Sequence, residues 1–205
     1  MGSWDVMTTK SRFNHPSRKF FYKLLEKEFG NSFFSLADIG VVSMVDYSRL
    51  RKEKPNLKFK YTGIDINEAI VEKAKTLVEV DDEIVLWDIH ENSPDFIDKF
   101  DVILVKHMLH YCKGYEVLEN LQDVMKEGGI IVVVNNCNIY TPKNKHKDNG
   151  AVLYSFGRYT TTYSEKAYTK YLRKHFNHAE HLSFSGAKTY KPYTIDILRT
   201  CLLFV

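Results

Sequence analysis

Glycine-rich phosphate loops are missing from this chain. Neither G-x-x-x-x-G-K-[ST] nor G-x-G-x-x-G occurs among its 205 residues, so a P-loop nucleotide and a dinucleotide pyrophosphate both lack their usual cradle. Cysteine is scarce. Cys112, Cys137 and Cys201 are odd in number and far apart, with no C-x-x-C and no metal-ligand spacing; they read as reduced thiols of a cytoplasmic protein. No apolar run approaches the roughly 18 residues of a membrane span, and the start does not read as a signal peptide. The net charge of +3 comes without a dense Lys/Arg stripe, which argues against nucleic acid as a partner. Internal repeats and low-complexity segments are absent too.

What is present is the ordinary stuff of a globular core. Hydrophobic residues make up 44% and charged residues 27% of the chain, and the length suits one domain with a full core rather than two. From Asn14-His15-Pro16-Ser17 a helix is predicted, carrying Phe20, Phe21, Leu24, Leu25 and Phe29 at helical spacing and stopped by Gly30. Strand-like runs then alternate with helical ones. Strands are predicted over 33–39, 58–66, 83–89, 100–106 and 130–135, with helices over Val45 to about Lys54, after Asn67, over about 93–99 and over Tyr115 to Lys126. The Phe100–Lys106 run is nearly all apolar, as in a strand buried on both faces. This alternation predicts an α/β fold, a doubly wound, mostly parallel seven-stranded sheet with its last strand antiparallel. Residues 138–163 break the rhythm with polar and aromatic side chains and read as a long functional loop. A helix from Ser164 to about His175 and strands near 179–185 and 194–205 complete the chain.

Three successive strands are predicted to close on an acid: Asp38, Asp65 and Asp88. In doubly wound sheets the ligand lies outside the carboxyl ends of the strands. A carboxylate there can accept the two hydroxyls of a ribose; another can accept an adenine amino group while the next backbone N–H donates to a ring nitrogen. Such an array repels phosphates. The bland alternative is that each acid merely caps an exit turn.

Asp38-Ile39-Gly40-Val41-Val42-Ser43-Met44 resembles motif I of the class I S-adenosylmethionine-dependent methyltransferases, acid-x-Gly-x-Gly-x-Gly, with Val42 and Met44 in place of two glycines. Tyr61-Thr62-Gly63-Ile64-Asp65-Ile66-Asn67 resembles the family's ribose motif, Leu86-Trp87-Asp88-Ile89 its adenine motif, and Phe100 through His110 its fourth-strand motif. The resemblance implies S-adenosylmethionine as cofactor, S-adenosylhomocysteine as product, and a cofactor set of Asp38, Gly40, Asp65, Ile66, Asp88, Ile89 and Lys106. It divides the single domain, 1–205, into a cap helix (12–31), a cofactor-binding core (32–136), an acceptor-side loop (137–163) and a closing helix and strands (164–205). Glycine permits φ > 0 and a close backbone approach, whereas β-branched Val41 and Val42 resist that conformation.

His107 and His110 follow the fourth strand, three residues apart and so on one face of a helical turn. Histidine, with an ordinary pKa of about 6.5, can take the proton of a hydroxyl acceptor; the alternative for each is packing or capping. An [Asn/Asp/Ser]-Pro-Pro-aromatic turn is missing here, which argues against base-amine methylation. Lys143, Lys145 and Lys147 could draw an anionic small-molecule acceptor, or be a solvated loop. His175, His178 and His181 have H-x-x-H-x-x-H spacing, but they straddle a helix end and a strand start, and no metal site is predicted. The expectation is methyl transfer to a hydroxyl of a sugar or other metabolite. A catalytically inactive methyltransferase-fold partner protein, or an RNA or protein methyltransferase, are the alternatives. Oligomeric state is not readable.

Overall fold

A computed structural model describes residues 16–42, 44–95, 99–112, 117–136, 151–155, 158–162, 165–176, 178–184 and 193–199. The first helix, α1 (Pro16–Phe29), precedes β1 (Phe33–Ile39), α2 (Val45–Glu53), β2 (Lys58–Asp65), α3 (Glu68–Lys75), β3 (Glu83–Leu86) and β4 (Phe100–Lys106). A 3₁₀ turn (Leu109–Tyr111), α4 (Val117–Asp123) and β5 (Met125–Asn136) follow, then a hairpin of β6 (Ala151–Ser155) and β7 (Arg158–Thr162), α5 (Glu165–His175), β8 (His178–Phe184) and β9 (Tyr193–Arg199).

Seven strands form one sheet in the order β3-β2-β1-β4-β5-β9-β8. The pairs β1·β2, β1·β4, β2·β3 and β4·β5 are parallel, while β9 runs antiparallel to both β5 and β8. The doubly wound sheet with its last strand antiparallel is therefore what folds. Alternate residues of the strands feed two cores. Leu36, Val102, Leu104, Val132 and Ile197 join α1 and α2 on one face, and Ala37, Ile103, Val105, Val133 and Leu198 join α4 and α5 on the other. Burial on both faces is why β4 and β5 read as unbroken apolar runs.

Local signals explain the boundaries. Asn67 caps α3, its side chain accepting from the N–H groups of Ala69 and Ile70 at 3.0 and 3.3 Å. Gly63 has a close neighbour on each side; a Cβ there would come within 2.6 Å of Ile84 and 2.9 Å of Val41.

Several boundaries differ from expectation. The fourth helix ends at Asp123, and β5 starts at Met125, before Gly128-Gly129. The reason is tertiary: Phe100 N–H donates to Val124 O at 2.8 Å and Phe100 pairs with Met125, with a register shift before Val102. Strand β3 stops at Leu86, which leaves Asp88 beyond the ladder. Residues 92–95 are irregular where a polar helix is predicted. The long segment after β5 is not all loop, since β6 and β7 pair across it; the lysines at 143–147 lie outside the described residues.

Candidate functional site

Strand order reverses between β1 and β4. The chain winds from β1 outward to β3, returns to β4, and continues to β5. That is the switch point where a doubly wound sheet opens a crevice at its carboxyl ends. Two loops meet over it. Gly40, after β1, has φ +81°, and a Cβ on it would stand 3.0 Å from Met108 Cγ in the loop after β4.

Among the described residues only two non-glycine residues have positive φ, Met44 at 52° and His107 at 53°. One lies in the loop after β1 and the other immediately after β4. Left-handed backbone costs a residue with a Cβ about 1–2 kcal/mol, and such strain gathers where the surrounding structure imposes it, commonly at functional sites. Met44 occupies the third glycine position of the motif. The loop thus keeps a left-handed turn there without glycine, and the two valines are spared it. Burial holds Met44 in place: its side chain is in the core, with Tyr61 OH 3.8 Å from Sδ.

Asp38 is buried one residue before the end of β1. It pairs with Gly63, two residues below Asp65, so the three acids do not end their strands at one level. Tyr61 OH donates to its carboxylate at 3.1 Å. Burial, reinforced by the Asp46 charge and opposed by Lys106 and Tyr61, pushes the Asp38 pKa up to about 7. Asp46 opens α2 and binds the cations around it. Lys106 Nζ lies 2.6 and 2.7 Å from its two oxygens and Arg18 Nε, from α1, 3.3 Å from Oδ1. Burial opposes this, yet Lys106 and Arg18 hold the Asp46 pKa below the ordinary carboxylate value. The Lys106 ammonium is thereby engaged with Asp46. Sequence reasoning did not find Asp46 or Tyr61; an acid in the first turn of the helix after β1 was the available signal for the former.

Asp65 ends β2. Its carboxylate accepts from Asn67 N–H at 2.9 Å and from Ile66 N–H. Burial raises its pKa, against the pull of those two bonds. A carboxylate has about four lone-pair sites, so two remain for a ligand. Ile66 is 63% exposed, and Leu86 at the end of β3 is 49% exposed. Together they leave apolar surface beside Asp65. Asp88 takes two bonds from His90, from its N–H at 3.0 Å and its Nδ1 at 2.7 Å. Ile89 is buried, and its carbonyl accepts from Asn120 Nδ2 at 2.8 Å.

His107 N–H donates to Val134 O at 2.8 Å, which ties the loop after β4 to the end of β5. The His110 backbone belongs to the 3₁₀ turn; its side chain lies outside the described residues. Cys112 is buried, which raises its thiol pKa to about 12 and makes it inert at neutral pH. His175 lies 3.4 Å from Glu119 and His181 2.6 Å from Asp196, partners on different elements.

Residues 38–133 match the family model of the methyltransferase domain. That stretch is similar to a methyltransferase domain, and solved methyltransferases of the same fold hold S-adenosylhomocysteine, the product form of S-adenosylmethionine. The N-methyltransferase NodS from Bradyrhizobium japonicum WM9 superposes with a TM-score of 0.64 at 16% identity, over 93% of this chain and 98% of that one. The citrinin polyketide synthase CMeT domain gives 0.69 at 13% identity, over 94% of this chain and 54% of that one. The plantazolicin methyltransferase BpumL, solved with a pentazolic desmethylPZN analog and S-adenosylhomocysteine, gives 0.66 at 16%, over 95% and 87%. No curated protein matches in sequence.

The carboxyl-end geometry fits this cofactor. Asp65 offers acceptors rather than cations, its flank is apolar, and Gly40 lets the backbone come close, as an adenosyl group without phosphates requires. No helix among the described residues is long and apolar enough to cross a membrane.

Proposed function

We propose that this domain methylates a hydroxyl of a small molecule, a sugar or another metabolite. The observation that carries the reading is the pair of left-handed residues, Met44 and His107, in the loops after the two strands that bound the switch point. Strain at both lips of the crevice supports a reactive site there, with the His107 imidazole as its candidate base.

In this reading Asp65 accepts the ribose hydroxyls with the two sites its backbone bonds leave over, and Ile66 offers apolar surface to the adenine. Asp88 and the Ile89 N–H serve the adenine edge, with His90 holding the Asp88 carboxylate in place. Gly40 admits the cofactor's amino-acid end, while Asp38 and Lys106 set the charge beneath it. When bound, S-adenosylmethionine supplies a methyl group on a sulfonium already primed to leave. The protein's task is then alignment and removal of the acceptor's proton. His107 is the base of this proposal, and His110 the second candidate.

The neighbours named as N-methyltransferase and as carbon methyltransferase span more than one acceptor atom, so fold does not choose oxygen. The imidazole supports oxygen, since a hydroxyl must lose its proton during attack. A catalytically inactive binding protein is the competing reading, favoured by the buried Met44 side chain where a glycine would leave room for ligand. Calorimetry with S-adenosylmethionine and S-adenosylhomocysteine separates the two. Binding is expected, and a folded sample that takes up neither at millimolar concentration would sink the enzyme reading. For the base, His107→Gln should lower kcat by about 100-fold or more without changing cofactor affinity; unchanged kcat would remove it from the role.

A further inference from the structure

One residue before its end, strand β5 carries a polar side chain without a hydrogen-bond partner. Asn135 is fully buried, and neither its Oδ1 nor its Nδ2 has a hydrogen-bond partner. Its ladder partner across β5·β9 is Thr194, 1% exposed, whose Oγ1 also has none. Two neighbouring polar side chains are therefore buried unsatisfied at one spot, where native structures pair almost all such groups. A buried unsatisfied group is costly to keep. An apolar pair would fill the place at no such cost, so the exception calls for a ligand.

The position says which ligand. Asn135 directly follows Val134, whose carbonyl takes the His107 N–H, so the pair borders the loop that carries the proposed base. By strand alternation Asn135 and Thr194 share the face of Val133, Asp196 and Leu198. A carboxamide and a hydroxyl both donate and accept, and neither is charged. The ionisable group that β9 contributes to this face is Asp196, fully buried and bonded to His181 Nδ1 at 2.6 Å and Tyr168 OH at 3.3 Å. The Lys106 ammonium is engaged with Asp46, which belongs to the α2 side of the sheet. Among these described residues the lysine is already paired with Asp46, and the buried Asp196 carboxylate repels an anion.

We infer that Asn135 and Thr194 form the acceptor-binding subsite, and that they hold a neutral donor-and-acceptor group of the acceptor, a hydroxyl or a carboxamide, next to His107. This inference rests on the methyltransferase reading above.

The test uses ¹⁵N-labelled protein saturated with S-adenosylhomocysteine. Acetamide is titrated as the neutral probe and acetate as its anionic counterpart. The Asn135 side-chain amide resonances, identified by their loss in Asn135→Leu, should move progressively with acetamide and stay still with acetate. No movement with acetamide, or equal movement with acetate, overturns the inference. A second measurement needs no probe. The double variant Asn135→Leu/Thr194→Val should melt at the same temperature as the wild type or up to about 4 °C higher, because it removes unsatisfied groups. A lower Tm would mean that the pair is structurally bonded and would overturn the subsite. Calorimetry on the same samples keeps the two readings apart. Absence of S-adenosylhomocysteine binding sinks the methyltransferase reading and the inference with it. Normal binding with silent Asn135 resonances sinks the inference alone.

Discussion

Two groups of polar side chains flank the crevice, and they are built in opposite ways. Under the ends of β1 and β4 the groups are ionisable and closed upon one another: Tyr61 on Asp38, Lys106 and Arg18 on Asp46. At the end of β5 and the start of β9 they are neutral and unsatisfied, with no hydrogen-bond partner for the Asn135 carboxamide or the Thr194 hydroxyl. The difference follows from the cost of burial. An unpaired ion in a protein interior is prohibitive, so charges appear there with partners or change protonation state. An unsatisfied amide or hydroxyl costs only about 1–3 kcal/mol. A site that must wait for a ligand without unfolding the protein can therefore leave neutral groups open, and must close its charges. Asp65 is intermediate, with part of its carboxylate tied to backbone N–H groups and part available.

The closed side should respond most to pH. Because folding raises the Asp38 pKa to about 7 from an ordinary value of 3.8, its contribution to stability is fully present below pH 4. It is lost as the pH rises towards 7, with a slope of up to about 1.4 kcal/mol per unit. Asp38→Asn should flatten that part of the urea-derived stability profile; an unchanged slope would show that Asp38 is not the titrating group. Asp46, held low by Lys106 and Arg18 against its burial, acts in the other direction and weakens the fold only as the pH falls into the acid range.

Lys106→Ala should come next. It leaves Asp46 with Arg18 alone in a mostly buried place and is expected to cost about 3 kcal/mol in denaturant unfolding. A loss near zero would mean that solvent screens the pair. Asp65→Ala tests the intermediate site. Losing two hydrogen bonds to a charged group should weaken S-adenosylhomocysteine by about 100-fold or more in calorimetry, with little loss of stability, since burial already disfavours this carboxylate. Unchanged affinity would overturn the ribose assignment. The smallest effect is expected from Gly40→Ala, at about 1–2 kcal/mol from φ +81° alone. It should also displace Met108 and disturb cofactor affinity more than a comparably destabilising change far from the crevice.

The fold was readable because its determinants are local. Apolar runs of strand length alternate with helical spacing, and Asn67 and Gly30 mark element ends by their own chemistry. The same reading placed Asp38, Asp65 and Asp88 near strand ends. It went astray where long-range pairing wins over local signals. Gly128-Gly129 looked like a helix stop and lies inside β5, because Phe100 recruits Met125. Strand β3 ends at Leu86, before its acid, and a hairpin stands where a loop was predicted.

By itself, then, the sequence determined the class of sheet, the order of its elements and the acids at the carboxyl ends, since periodicity and turn chemistry act over a few residues. Only the tertiary structure decided that Lys106 faces Asp46, that Asp38 is buried to a pKa of about 7, that Met44 and His107 take left-handed backbone, and that Asn135 meets Thr194 without a bond. Each of these depends on which distant residue arrives beside it, and on how much water that arrival excludes.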